Sequence, residues 1–229
     1  MPTLPPATKW LILACVAVFC VGQFVPLEGL FALWPLTSGN FYPWQLVSYG
    51  FLHGGIEHLF FNMLGLWMFG ADLERLWGRP RYLQFLLGSL LAAALTQLLL
   101  TWLIHSPVAT VGASGAIYGL LLAFAIVFPR RQFDLVGFLP MVLLMIPSTI
   151  FNMAGMILFV LMLTNRAALP IRPIPMPALG MVIAFGAIEL ALGVLGRGGI
   201  AHFAHLGGML GGFVMIRYWR GQLPFKRRR

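Results

Sequence analysis

Charge is what this chain has least of. Only 9% of its 229 residues are charged, and six of those are acidic. Soluble domains carry about one quarter charged residues, so this chain cannot cover itself with polar surface. With 60% hydrophobic residues and a mean hydropathy of +0.89, it reads as a polytopic membrane protein. Cysteine is almost missing. Cys15 and Cys20 lie five apart in the first apolar run, off a common helix face, which excludes a disulfide within that helix. There is no HExxH run and no clustered Cys/His/carboxylate set, so neither a metal nor another cofactor is expected. Internal repeats, low-complexity linkers and room for a separate soluble domain are lacking too, and residues 1–229 read as one membrane domain. The first apolar run is followed by no A-x-A site, so it reads as a retained helix and not a cleaved signal.

The net charge of +9 is better explained by membrane topology than by nucleic acid, and no nucleic-acid partner is expected. Length and flanks place six spanning helices at about 10–27, 56–76, 81–104, 113–128, 178–195 and 200–218. Lys9, Arg75, Arg79, Arg81, Arg130, Arg131, Arg217, Arg220 and a basic tail over 221–229 then fall on one side, with Arg197 opposite. Basic loops stay in the cytoplasm, so both termini are expected there. The absence of an organelle presequence points to a bacterial-type inner membrane. The tail can also touch anionic headgroups of the lipid bilayer.

Residues 134–164 disturb this count. The segment is apolar, long enough to span, and interrupted by Pro140 and Pro147. Arginines flank both of its ends. One crossing would invert the last two helices, so parity favours an extra hairpin or re-entrant segment bent near Pro147-Ser148-Thr149. An ordinary pair of short helices without function is the plainer alternative. The loop over 28–55 is rich in Phe, Trp and Tyr and is expected to lie partly in the membrane interface.

A few polar residues are not explained by matching lipid. Ionisable groups within a bilayer are expensive and usually mark a site. Ser114 lies in Gly112-Ala113-Ser114-Gly115 at the start of an apolar helix, and His205 lies in the last helix. A serine needs a base to become a nucleophile, and an intramembrane histidine is a suitable one. The motif alone is weak, because serine in apolar helices often just bonds its own backbone. Gly115 and Gly119 on one helix, with Gly208 and Gly212 on the other, allow the close approach that a Ser–His hydrogen bond demands. Tyr118, four residues after Ser114, shares its face and could pack on an imidazole. His58 and Asn62 share a face of the second helix and could serve as oxyanion donors or as interhelical polar glue. His202, three residues before His205, is the rival base. His105 reads as an exposed loop residue. Glu189 is the only carboxylate in the fifth helix, and nothing in the sequence connects it to His205.

His58-Leu59-Phe60-Phe61-Asn62 resembles the H-x-x-x-N motif of the rhomboid intramembrane serine proteases. Gly112-Ala113-Ser114-Gly115 resembles their G-x-S-G motif, and Ala204-His205-Leu206-Gly207-Gly208 their A-H-x-x-G motif. The likeness runs over essentially the whole chain, with the three motifs in order. It implies an all-α, polytopic six-helix membrane bundle, here with the extra apolar segment between the fourth and fifth core helices. It implies Ser114 as nucleophile and His205 as general base. The oxyanion hole would be the Ser114 N–H with the His58 and Asn62 side chains. Tyr118 would lie against the histidine, and His53 would support the first loop. The stretch Gly70–Gly78, with Glu74 and Arg75, resembles a structural G-x-x-x-E-R element. Two departures stand out: Trp44-Gln45 where many members have Trp-Arg, and the long 134–164 insertion. The implied activity is cleavage of transmembrane segments of other membrane proteins. The rival is a non-proteolytic rhomboid-like chaperone or translocation factor that binds client helices.

Overall fold

The computed structural model describes residues 4–145, 148–165, 172–195 and 201–222. The chain runs α1 (Pro6–Gly22), two short helices α2 (Glu28–Phe31) and α3 (Gln45–Ser48), then α4 (Ile56–Gly65). A π-helical turn, Leu66–Gly70, joins α4 to α5 (Ala71–Trp77). The long α6 (Arg79–Leu103) and α7 (Ser114–Val127) follow. Next come β1 (Gln132–Asp134), α8 (Leu135–Met145), α9 (Thr149–Asn165) and β2 (Pro175–Pro177). The chain closes with α10 (Ala178–Val194) and α11 (Ala201–Trp219). The fold is helical, as expected. Among the described residues, α6 alone is long and apolar enough to cross a membrane by itself. Residues 56–77, continuous through the π turn, and the 19 residues of α11 are close to the expected ~20 per span, whereas α7 is shorter. At ~1.5 Å per residue, the 14 residues of α7 span about 21 Å, against a hydrocarbon core of ~30 Å.

Two compact units divide the chain: Met1–Phe124 with Ile200–Arg229, and Ala125–Gly199. In the first unit, the start of α1 is fixed by a distant carboxylate. Glu74 accepts hydrogen bonds from the Ala7 N–H (2.8 Å), the Thr8 N–H (2.7 Å) and the Thr8 hydroxyl (2.8 Å). These amides belong to the first turn, which has no intrahelical partner for them. The anion also complements the positive end of the helix. With Pro6 at the first position and this cap behind it, α1 starts four residues earlier than the apolar run suggests. Glu74 is therefore a buried structural acid, and Gly70 leaves room for the Tyr82 hydroxyl beside it. Arg75 makes a surface ion pair with Asp72 at 2.9 Å.

α11 packs on α6 and α7 through two glycine rows. A β-carbon on Gly211 would sit 2.5 Å from the Ala92 side chain of α6, and one on Gly207 would strike Thr96. On the neighbouring row, a β-carbon on Gly208 would strike the Gly115 carbonyl of α7, and one on Gly212 would lie 3.1 Å from Gly119 Cα. Small residues let helices meet backbone to backbone in lipid, where dispersion and not hydrophobicity drives association.

In the unit 125–199, β1 and β2 form an antiparallel ribbon with Phe133 opposite Met176. The sequence reading contains no strand here. Asp134 stabilises the ribbon's end by accepting from the Val136 N–H (3.1 Å) and the Ile174 N–H (3.0 Å). The ribbon brings the two ends of the insertion together. A β-carbon on Gly155 of α9 would lie 3.0 Å from Leu144 and from the Pro140 carbonyl of α8, so these two helices pack closely. Pro140 does not interrupt the segment: it lies inside α8. The expected bend at Pro147 lies outside the described residues, and Thr149 opens α9.

Candidate active site

Three helices in the first unit begin with the candidate residues. Ser114 is the first residue of α7, His58 the third of α4 and His205 the fifth of α11. A helix start leaves its first N–H groups without intrahelical partners, so it also offers donors to a developing negative charge.

The turn before α7 is held from two sides. Gly112 donates its N–H to the Tyr49 carbonyl (2.9 Å), and Thr110 pairs with Leu33 through two backbone bonds of 2.9 and 3.0 Å. Gln97 of α6 donates to the Thr110 hydroxyl at 2.8 Å. Gly112 has φ +121°, which side chains rarely tolerate. A β-carbon there would lie 2.7 Å from His58 Nε2 and 3.7 Å from Ser114 Oγ. Glycine at 112 thus lets the His58 ring stand beside the serine.

Ser114 Oγ and His205 Nε2 are 2.7 Å apart, in hydrogen-bond contact across 91 residues of sequence. Both residues are half-buried. The Tyr118 ring stacks on the imidazole, with centroids 4.4 Å apart and planes 4° apart. Gly115, under the serine, faces the Ala93 side chain closely, and the position of its missing β-carbon is 3.7 Å from both the Tyr49 hydroxyl and the Ala204 carbonyl. His202 sits edge-on to His205 with a 6.4 Å centroid separation. Ser114 bonds His205. Glu189 lies on α10, in the other unit.

His58 Nδ1 accepts the Gly54 N–H at 3.4 Å. A neutral ring that accepts at Nδ1 carries its proton on Nε2, the atom beside Gly112. Asn62 is buried and donates its Nδ2 to the His58 carbonyl at 2.7 Å. His53 is buried in the loop ahead of α4, and its Nδ1 donates to the Phe51 carbonyl at 3.3 Å. Burial, and then the nearby His58, pull the His53 pKa down to about 4, so the ring is neutral. His53 and Gly54 also line a cavity of ≈ 680 Å³ together with Gln23 and Glu28.

Some residues that shape this region carry no motif. Tyr49 supports Gly112 with its carbonyl and reaches the Leu90 carbonyl with its hydroxyl at 2.9 Å. Gln45, fully buried, organises the first loop. It accepts from the Trp34 N–H (3.2 Å) and donates to the Leu30 and Asn40 carbonyls (3.3 and 3.0 Å). It does so where many rhomboids have arginine. No residue spacing in the sequence marks either one. The loop's aromatics include the exposed, stacked pair Tyr42 and Trp44, 4.6 Å apart. His105 is exposed, as its loop position suggests.

A helical membrane bundle with a serine and a histidine in hydrogen-bond contact is the class that this fold and site define. The rhomboid domain family model matches residues 40–161 and 153–221, and the chain belongs to the rhomboid family. It is 33% identical to RHOMBOID-like protein 2 of Arabidopsis thaliana over 191 residues, 82% of this chain and 46% of that protein. It is 39% identical to Rhomboid protease GluP of Bacillus subtilis over 92 residues, 39% of this chain and 17% of that protein. It is 27% identical to Rhomboid protease GlpG of Yersinia enterocolitica over 119 residues, 51% of this chain and 41% of that protein. The chain thus covers less than half the length of each of these relatives.

Proposed function

We propose that this chain is an intramembrane serine endopeptidase that cleaves transmembrane segments of other membrane proteins with a Ser114–His205 dyad. The observation that carries this reading is the 2.7 Å contact between Ser114 Oγ and His205 Nε2. In the neutral tautomer with its proton on Nδ1, His205 accepts the serine proton as Oγ attacks the scissile carbonyl. The resulting oxyanion takes hydrogen bonds from the Ser114 N–H, the His58 Nε2–H and the Asn62 amide. The C–N bond then breaks, and His205 gives its proton to the leaving amine. His205 next takes a proton from the water that attacks the acyl ester, and returns it to Ser114 Oγ as the ester bond breaks, which releases the carboxylic product and regenerates the serine. Tyr118 keeps the imidazole plane aligned throughout. Gly112, Gly115, Gly208 and Gly212 provide the closeness, and His53 buttresses the loop behind His58.

Hydrolysis needs water within the membrane. The ≈ 680 Å³ cavity is lined in part by His53 and by Gly54, whose N–H binds His58. In the orientation with both termini in the cytoplasm, Ser114, His58 and His205 lie toward the extracytoplasmic face, where this cavity fills from bulk solvent. The insertion between α7 and α10 leaves and returns at one ribbon, which supports an even number of crossings. A client-binding chaperone would need no serine in contact with a histidine, so the contact favours the protease. The test is cleavage of a model transmembrane substrate by reconstituted protein. Wild type should cut it, and Ser114→Ala and His205→Ala should not. Equal fragments from all three would refute the proposal.

A further inference from the structure

The cavity beside His58 carries polar groups that the proposed chemistry does not use. Its ≈ 680 Å³ is within the ~300–1,000 Å³ typical of ligand sites. Val18 and Phe19 of α1, with Ile56 of α4, give it apolar walls. Gln23, Glu28 and His53 line it as well, and each brings an acceptor. Gln23 donates its Nε2 to the Phe19 carbonyl at 3.2 Å, which leaves Oε1 as its acceptor. His53 is only 8% exposed, and its Nε2 has no hydrogen-bond partner among the described residues. Because Nδ1 donates to the Phe51 carbonyl, Nε2 offers a lone pair only. Buried polar atoms are nearly always hydrogen-bonded, so such an exception calls for a donor.

The charge around this cavity is of one sign. Glu28 lines it, and Glu57 stands at its rim: the Glu57 Oε2 lies 3.5 Å from the place of a β-carbon on Gly55, another lining residue. Among the described residues, neither carboxylate has an ion-pair or hydrogen-bond partner. No lysine or arginine occurs between Lys9 and Arg75, or between Arg81 and Arg130. The segments that build the cavity and the serine's surroundings therefore supply carboxylates and no cation. Such a cleft draws an opposite charge from outside. Apolar walls with an anionic lining match a lysine or arginine side chain, whose stem covers apolar surface while its head seeks a polar partner. A small inorganic cation would leave the walls unused, and an apolar side chain would leave the acceptors unused.

The cavity also adjoins the reaction. The N–H of Gly54, a lining residue, reaches His58 Nδ1 at 3.4 Å, and the His53 ring stands edge-on to the His58 ring with centroids 5.2 Å apart. The path from Gly54 across the His58 ring to Ser114 is on the order of 10 Å, about three residues of extended chain.

We propose that, given the protease function above, this cavity is a substrate subsite that selects a lysine or arginine side chain about three residues from the scissile bond, with Glu28 as the specificity-determining acid. The test uses reconstituted full-length protein and two series of a model transmembrane substrate. One series carries a single lysine, placed in turn at one to six residues on either side of the scissile bond, and the other carries glutamine at the same places. In wild type, kcat/KM for lysine over glutamine should peak at about fivefold, two to four residues from the bond, mainly through KM. Glu28→Gln should bring that ratio to one. Glu28→Lys should invert it, so that a glutamate substrate is cut faster than the lysine one. Each enzyme is read as a ratio of two substrates, so the amount of folded protein cancels, and fluorophosphonate labelling of Ser114 shows that each variant is folded. A wild-type ratio of one at every position, a peak beyond four residues, or a ratio unchanged in both Glu28 variants would overturn the subsite alone. A wild type that cuts neither series would overturn the protease function and the subsite with it.

Discussion

The Tyr118 ring lies parallel to the His205 imidazole, 4° from coplanar and 4.4 Å away, while that imidazole holds Ser114 at 2.7 Å. The tyrosine hydroxyl takes no part in this contact. The ring face does, and such contacts are worth roughly 0.5–1.5 kcal/mol. Tyr118→Phe should therefore keep most of the activity. Tyr118→Ala frees the histidine and should lower kcat about tenfold with KM little changed. Steady-state cleavage of a model transmembrane substrate checks both.

The glycine row between α7 and α11 should be intolerant in a position-specific way. Gly208→Val drives a side chain into the Gly115 carbonyl and pushes His205 away from Ser114. Overpacking of this kind costs about 1–3 kcal/mol, and misplacement of a catalytic group by ~1 Å costs about 10²-fold in rate. Gly29→Ala meets nothing within 4 Å and should be neutral. Thermal melting and cleavage assays on the two variants separate these outcomes.

Much of this site was legible in the sequence, for physical reasons. Ser114, His58 and His205 are polar residues at the starts of apolar helices, and lipid makes such residues conspicuous. The glycines at four-residue spacing announced which helix faces meet. Other features had no such signal. Gln45 and Tyr49 act through backbone carbonyls and loop packing, which no residue spacing encodes. The β1–β2 ribbon consists of Gln-Phe-Asp against Pro-Met-Pro, too short for any alternation to register. Pro140 read as a breaker because proline removes a helical hydrogen bond, yet α8 continues through it. The start of α1 depends on Glu74, 66 residues away, and a local pattern cannot contain it.

Glu74 should matter for stability and not for chemistry. Its carboxylate receives three hydrogen bonds from Ala7 and Thr8 in a buried site. Bonds to a charged group are worth about 1.5–3 kcal/mol each when lost singly. Glu74→Ala should lower the melting temperature more than Thr8→Ala does. The cleavage rate per folded molecule should be unchanged in both, as measured by active-site titration.

His53 should impose an acid limit on stability. Its folded pKa is pulled to about 4, below the ~6.5 of an unfolded histidine. Between these values the unfolded chain binds the extra proton, so stability falls as pH drops through that window and is fully present above it. Melting temperature measured from pH 7 to pH 4 should decline in wild type. His53→Gln, which cannot titrate, should show a shallower decline.

The proposed oxyanion donors should be separable from the proposed dyad. Removing one such donor costs about 10²–10³ in kcat. Asn62→Ala and His58→Ala should each lose activity on this scale and still react with a fluorophosphonate at Ser114, because the Ser114–His205 contact does not depend on them. Kinetics and labelling run in parallel decide this.

The most direct measurement of the central claim is the site and rate of fluorophosphonate labelling in membranes, read by intact mass and peptide mapping. A serine activated by His205 predicts one adduct, on Ser114, formed rapidly in wild type and His202→Ala and absent in His205→Ala. An adduct on another residue, or equal labelling of Ser114 in His205→Ala, would contradict the account.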